Sequence, residues 1–137
     1  MATITQRLEA FRNVLVDQDY RQSGRVEDFD ESIQLHHQFF LEGPEIAGEL
    51  HAAAGLAITP WVMRARIAFE PRLHRSDPDK GRFEIATDLD GLVDAWTGDT
   101  TVHADVFTVA SASPEWVDDP GFWVVLVEAS FSHVRTI

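Results

Sequence analysis

The apolar positions of this chain follow two periods, and the longest uninterrupted pattern lies at its end. Residues 121–137 read G-F-W-V-V-L-V-E-A-S-F-S-H-V-R-T-I. Phe122 to Val127 are apolar on both faces, after which Ala129, Phe131 and His133 alternate with Glu128, Ser130 and Ser132. A run rich in Val, Phe and Trp with this change of pattern predicts a β-strand, buried at its start and half-exposed at its end. Its backbone donors and acceptors require partner strands. Three stretches qualify. In 33–42, Ile33, Leu35, His37, Phe39 and Leu41 share one face, and Gly43-Pro44 ends the run. In 61–70, Trp61, Met63, Ala65, Ile67 and Phe69 face inward, with Arg64, Arg66 and Glu70 outward. In 100–110, Val102, Ala104, Val106 and Thr108 oppose His103, Asp105, Phe107 and Val109.

Helical spacing governs the rest. Ile4, Leu8, Phe11 and Leu15 make one stripe over 3–17, and Thr3 with Gln6 fits a capping box. A second helix runs from about 82 to 97, after an Asp77-Pro78 cap, with Ile85, Leu89, Leu92, Val93 and Trp96 as its stripe and Gly98 as its C′ glycine. Residues 45–57 keep Ile46, Ala47, Leu50, Ala53 and Ala54 at helical spacing, weakened by Gly48 and Gly55. A short helix is the reading there, with a flexible loop as the alternative. The polar stretches 25–32, 74–81 and 111–120 read as connections. The pattern predicts an α+β fold: a mainly antiparallel sheet of about four strands with two helices packed on one face. The last two strands should pair as neighbours. At 137 residues the chain predicts one domain, 1–137.

Composition narrows the function. The chain is 45% hydrophobic with four Trp and nine Phe, which excludes disorder. No apolar run is long enough to span a bilayer and the amphipathic start lacks a secretory core, so no membrane association and no signal peptide are expected. The absence of cysteine excludes disulfides and thiolate chemistry. Twenty-three acids against eleven Lys and Arg, only Lys80 being lysine, give a net charge of −12. Such a surface repels phosphate backbones and argues against sequence-specific nucleic-acid binding; it also favours solubility.

Motifs that carry chemistry are scarce. The histidines at 36, 37, 51, 74, 103 and 133 show no metal-ligand spacing on a helix. A metal held by His36, His103 and His133 would need their strands to adjoin, and surface or core histidines are the simpler reading. Asp88, Asp90 and Asp94 crowd the second helix, and Asp118-Asp119 precede Pro120. Asp88-Leu89-Asp90-Gly91 lacks the remainder of a calcium loop. An exposed acidic face is the simpler account. No nucleophile elbow, phosphate loop or dinucleotide fingerprint occurs, so no catalytic residue, cofactor or metal is assigned. Trp116, Phe122 and Trp123 bracket a turn, and with Phe40 and Val109 they are candidates for an interface between copies.

The opening T-I-T-Q-R-L-E-A-F (3–11), the strand and helix at 62–69 and 82–96, and the ending E-W-V-D-D-P-G-F-W-V-V-L-V-E-A-S-F-S-H-V (115–134) together resemble the tail terminator proteins of lambda-like long-tailed phages. The resemblance implies a virion structural protein, assembled in the host cytoplasm, that forms a homo-oligomeric hexamer ring. Such a ring caps the tail tube and joins the head, so its partners are the tail tube protein and a head-completion protein. It also implies a channel for DNA, for which Asp88, Asp90, Asp94, Asp118 and Asp119 are candidate lining residues. Two other readings stand beside it. One is a cone-shaped α+β enzyme or small-molecule binder in which His37, His103, Asp105 and His133 converge in an apolar pocket. The other is an acidic module that meets a basic protein.

Overall fold

A computed structural model describes residues 2–70, 78–104, 106–109, 115–117 and 122–136, with the backbone alone at 78, 106–109 and 115–117. The first element is α1 (Ile4–Asp17). The Thr3 hydroxyl accepts from the Gln6 amide and the Gln6 side chain accepts from the Thr3 amide, so the capping box expected from sequence is formed. Leu8, Phe11, Val14 and Leu15 are its buried stripe.

Two long strands form the spine. β4 (Leu56–Phe69) and β7 (Phe122–Thr136) run antiparallel in unbroken register, from Leu56 opposite Thr136 to Phe69 opposite Trp123. β2 (Gln38–Ile46) lies antiparallel on the other side of β4. β1 (Arg21–Gln22) runs parallel to β2, and β5 (Val106–Val109) pairs with β7, giving the path β1-β2-β4-β7-β5. β3 (His51–Ala53) adds to the far end of β4, and β6 (Glu115–Val117) to the start of β7. The sheet is therefore mixed, and its main path is five strands rather than about four. The parallel pair arises because the chain leaves α1 through Asp19, at φ 65, and lays Arg21 beside His37 before the loop returns.

Strand alternation sorts the two faces. Phe39, Met63, Ala65, Ile67, Phe69, Val125, Val127, Ala129 and Phe131 lie on one, and α1 and α2 (Pro78–Gly98) bury them. Trp96 is the keystone of that layer. Its ring stacks on Phe11 at 4.8 Å and its Nε1–H donates to the Phe11 carbonyl at 2.9 Å. The opposite face carries Arg64 and Arg66, paired with Glu45, Glu128 and Glu42.

Four expectations are corrected. Residues 45–57 are not helical: Ile46 ends β2, and β3 and β4 form a hairpin through Ala54 (φ 52) and Gly55 (φ 77). This two-residue turn needs both central residues left-handed, and only one of them is glycine. Gly43-Pro44 does not stop β2; it produces a bulge between Glu42 and Glu45. Gly43 sits at φ 97, where a Cβ would lie 3.1 Å from the Val62 carbonyl oxygen. Finally, among the described residues of 100–110 the strand covers 106–109, and 100–104 are not strand. The Asp99 carboxylate accepts from the Thr101 and Val102 amides and holds a turn there instead. Gly98 is itself the last helical residue.

Candidate functional site

A cluster of titratable groups lies where the loop before β2 meets α2. His37 sits at φ 63, with its amide bonded to the Ala68 carbonyl at 2.8 Å. That backbone swings its ring against α2, where Nε2 meets Asp88 Oδ2 at 2.8 Å. Tyr20 stacks on one side of the His37 ring at 4.3 Å and His36 on the other at 4.0 Å, all above the edge of Phe69. His36 Nδ1 accepts from the Glu70 amide at 3.1 Å, which fixes that nitrogen as unprotonated. Burial first, and then neighbouring His37, hold the His36 imidazole below its ordinary pKa. Burial, and then the Asp88 charge, push the Tyr20 hydroxyl well above its ordinary range.

An imidazole–carboxylate pair is the raw material of general acid–base chemistry. The crevice beside it, lined by His36, Phe69, Glu70, Gly81, Glu84, Ile85 and Asp88, holds only ≈ 10 Å³. That is about the room one water molecule needs. The cluster acts as a clamp between the sheet and α2.

A second feature is an apolar arm. The β3–β4 hairpin, the end of β2 and the link between them expose Ile46 (56%), Leu50 (55%), Leu56 (42%) and Ile58 (38%). Leu56 and Ile58 share a face of β4, two residues apart, opposite Ala53 and His51 of β3. Their clustering at one end of the sheet separates them from scattered surface aliphatics, which need no explanation.

The sequence-selected residues divide. Phe40 and Phe122 are not exposed. Phe29, from the loop before β2, meets Phe40 at 4.7 Å and Phe122 at 5.5 Å, and Leu35, Ala68 and Val124 complete this second small core. Gln38 explains why the loop folds back. Its buried amide accepts from the Asp30 amide at 2.6 Å and donates to the Asp30 and Gln34 carbonyls at 3.0 and 3.2 Å. Trp123 is half-buried on the helical face with Arg82 5.7 Å above its ring. The side chains of Val109 and Trp116 lie outside the described residues, as do Asp118 and Asp119. Asp90 and Asp94 are exposed on α2, whereas Asp88 is engaged by His37.

The three histidines of the pocket reading do not all come together. His37 lies at the Phe69 end of β4, and His133 pairs with Thr59, ten residues away or roughly 33 Å along the strand. His103 and His133 share a different hollow, and Asp105 lies outside the described residues. Among the described residues no group of three His, Asp or Glu could hold a metal ion, so His36 is not joined to His103 and His133. No helix among them is long and apolar enough to cross a membrane. No protein-family model matches the chain, and no curated protein is significantly similar to it in sequence.

Sequence reasoning missed the arm because Ile46, Leu50 and Ala53 were assigned to a helical stripe. The signal that could have found it was Ala54-Gly55 flanked by alternating residues, a hairpin cue.

Proposed function

We propose that the protein is a self-associating structural subunit and, following the resemblance drawn from residues 3–11, 62–96 and 115–134, a ring-forming tail terminator that caps a phage tail tube. The observation that carries the self-association is the β3–β4 hairpin at the end of the sheet, where Leu56 and Ile58 are exposed on one face. A hairpin arm docked on a neighbour makes a head-to-tail contact, and such contacts close into rings when the rotation permits. The acidic exposed residues Asp90 and Asp94 fit a channel wall that repels DNA phosphates. The tail tube and head-completion proteins are the partners this reading requires.

The test is sedimentation velocity of the intact chain across concentration, alone and with purified tail tubes. The expected result is a discrete oligomer, in solution or on the tube. Leu56→Ser with Ile58→Ser should return it to monomer while leaving the melting temperature of the monomer within a few degrees, because both side chains are exposed. An oligomer indifferent to these changes, or a monomer under every condition, defeats the proposal. A second reading, catalysis at His37–Asp88, draws on the 2.8 Å pair, but the adjoining crevice leaves a substrate no space.

A further inference from the structure

Charge is spread unevenly along this chain. It has 23 acids and 11 Lys and Arg, yet none of them falls between Leu50 and Met63, the longest stretch without one. That stretch takes in β3, its turn and the first half of β4. It overlaps the segment 43–56, in which every residue is exposed. Exposed surface ordinarily carries charged side chains, and charge is depleted where a surface is buried against another protein. Each copy carries −12, so two copies repel wherever acids face one another, and a contact between them is least opposed here. A basic partner is met best through carboxylates, of which this stretch has none. The occupant its chemistry fits is therefore a second copy.

A single titratable side chain lies inside the uncharged stretch. His51 is exposed on β3 and pairs with Ile58 of β4, which pairs in turn with Val134 of β7. The next row on the same face is Ala53, Leu56 and Thr136. Residues directly opposite on neighbouring strands have Cβ atoms about 5 Å apart. A contact that covers Leu56 and Ile58 therefore covers the imidazole as well. The charged groups nearest to it lie off these rows. Arg135 pairs with Ala57, so it points to the other side of the sheet. Glu45 on β2 is held by Arg64 at 2.7 Å. Glu49 is exposed in the link before β3, ahead of the ladder.

We propose, resting on the self-association reading above, that His51 makes this contact pH-dependent: copies join through the hairpin while its imidazole is neutral and part when it takes up a proton. A neutral imidazole enters an apolar contact at small cost. An imidazolium gives up its hydration there, and Ile58 and Val134 beside it offer nothing in return. Histidine is the side chain whose charge changes in the mildly acidic range. The free copy then binds a proton at His51 that the joined copy excludes, so acid favours separation. At its limit this linkage raises the dissociation constant about tenfold for each pH unit and each buried imidazole. The background charge acts with the opposite sign. Acid protonates histidines across the surface and reduces the net negative charge, which by itself draws copies together.

The experiment is sedimentation equilibrium of the intact chain at about pH 8 and about pH 5.5, either side of the ordinary imidazole range, at constant ionic strength, with circular dichroism confirming the fold at both. Wild type should be oligomeric at the higher pH, with a dissociation constant about tenfold or more larger at the lower. His51→Gln, neutral throughout, should stay associated at both. His51→Lys, charged throughout, should be dissociated at both. The side chain is exposed, so neither change should move the melting temperature by more than a few degrees. Leu56→Ser with Ile58→Ser tests the contact itself. Wild type that is monomeric at the higher pH, or an oligomer indifferent to that pair, ends the self-association reading and the His51 switch together. An oligomer that the pair dissolves, but whose pH dependence is the same in wild type and His51→Gln, overturns the switch alone. So does association that tightens in acid and loses that tightening in His51→Gln, which places a carboxylate of the neighbouring copy against the imidazole.

Discussion

At the scale of single residues, His36 gives the protein an acid-side weakness. Its folded pKa lies below the unfolded value because burial and then His37 disfavour the imidazolium. Between those two values the unfolded chain binds more protons, so unfolding gains as pH falls. The neutral ring contributes its full share of stability above about pH 6.5, and that share is lost progressively as pH drops through and below this value. Protonation at Nδ1 also ejects the Glu70 amide from its acceptor, since an imidazolium has none to offer. The melting temperature should therefore fall from pH 7 toward pH 5, above the range where carboxylates begin to titrate. His36→Gln, which keeps an acceptor but cannot be protonated, should flatten that slope. An equal slope in the variant would place the effect elsewhere, His133 being the next candidate because its pKa is lowered too.

At the scale of elements, what was legible followed from periodicity backed by chemistry. The capping box and stripe of α1, the buried stripe of α2 and the spine strand β7 were readable because each repeats one pattern over many residues. β2 and the hairpin were misread because a glycine–proline pair bulges rather than ends a strand, and because alanine occupies a left-handed turn position usually given to glycine or asparagine. The loop over the second core was illegible in sequence, since it depends on Gln38, a polar residue buried far from any motif. Gln38→Leu should test that dependence. It leaves the Asp30 amide and the Asp30 and Gln34 carbonyls without this partner, at a cost of about 1–3 kcal/mol. The loop should then lift from Phe40 and Phe122, seen as faster amide exchange over residues 28–38 and increased dye binding. Unchanged exchange would show that the Phe29 contacts alone hold it.

At the scale of the whole molecule, charge and apolar surface oppose each other. Each copy carries −12, so bringing copies together is resisted at low ionic strength. In the self-association proposed above, the hairpin would supply the attraction, and its exposed Leu56 and Ile58 are aliphatic rather than ionic. The described ion pairs of the sheet's other face, Arg64 with Glu45 and Glu128, and Arg66 with Glu42, are already closed within one copy. Salt therefore has a definite sign here. It screens the repulsion over a Debye length of about 10 Å at 0.1 M and about 3 Å at 1 M, while burial of aliphatic surface persists. Association should strengthen as sodium chloride rises across that range, and Asp90→Asn with Asp94→Asn should raise it at low salt if those exposed acids face one another around a ring. Sedimentation equilibrium at matched protein concentration measures both. Association that weakens with salt would mean that opposite charges, rather than the hairpin, join the copies, and the arm would then need another partner.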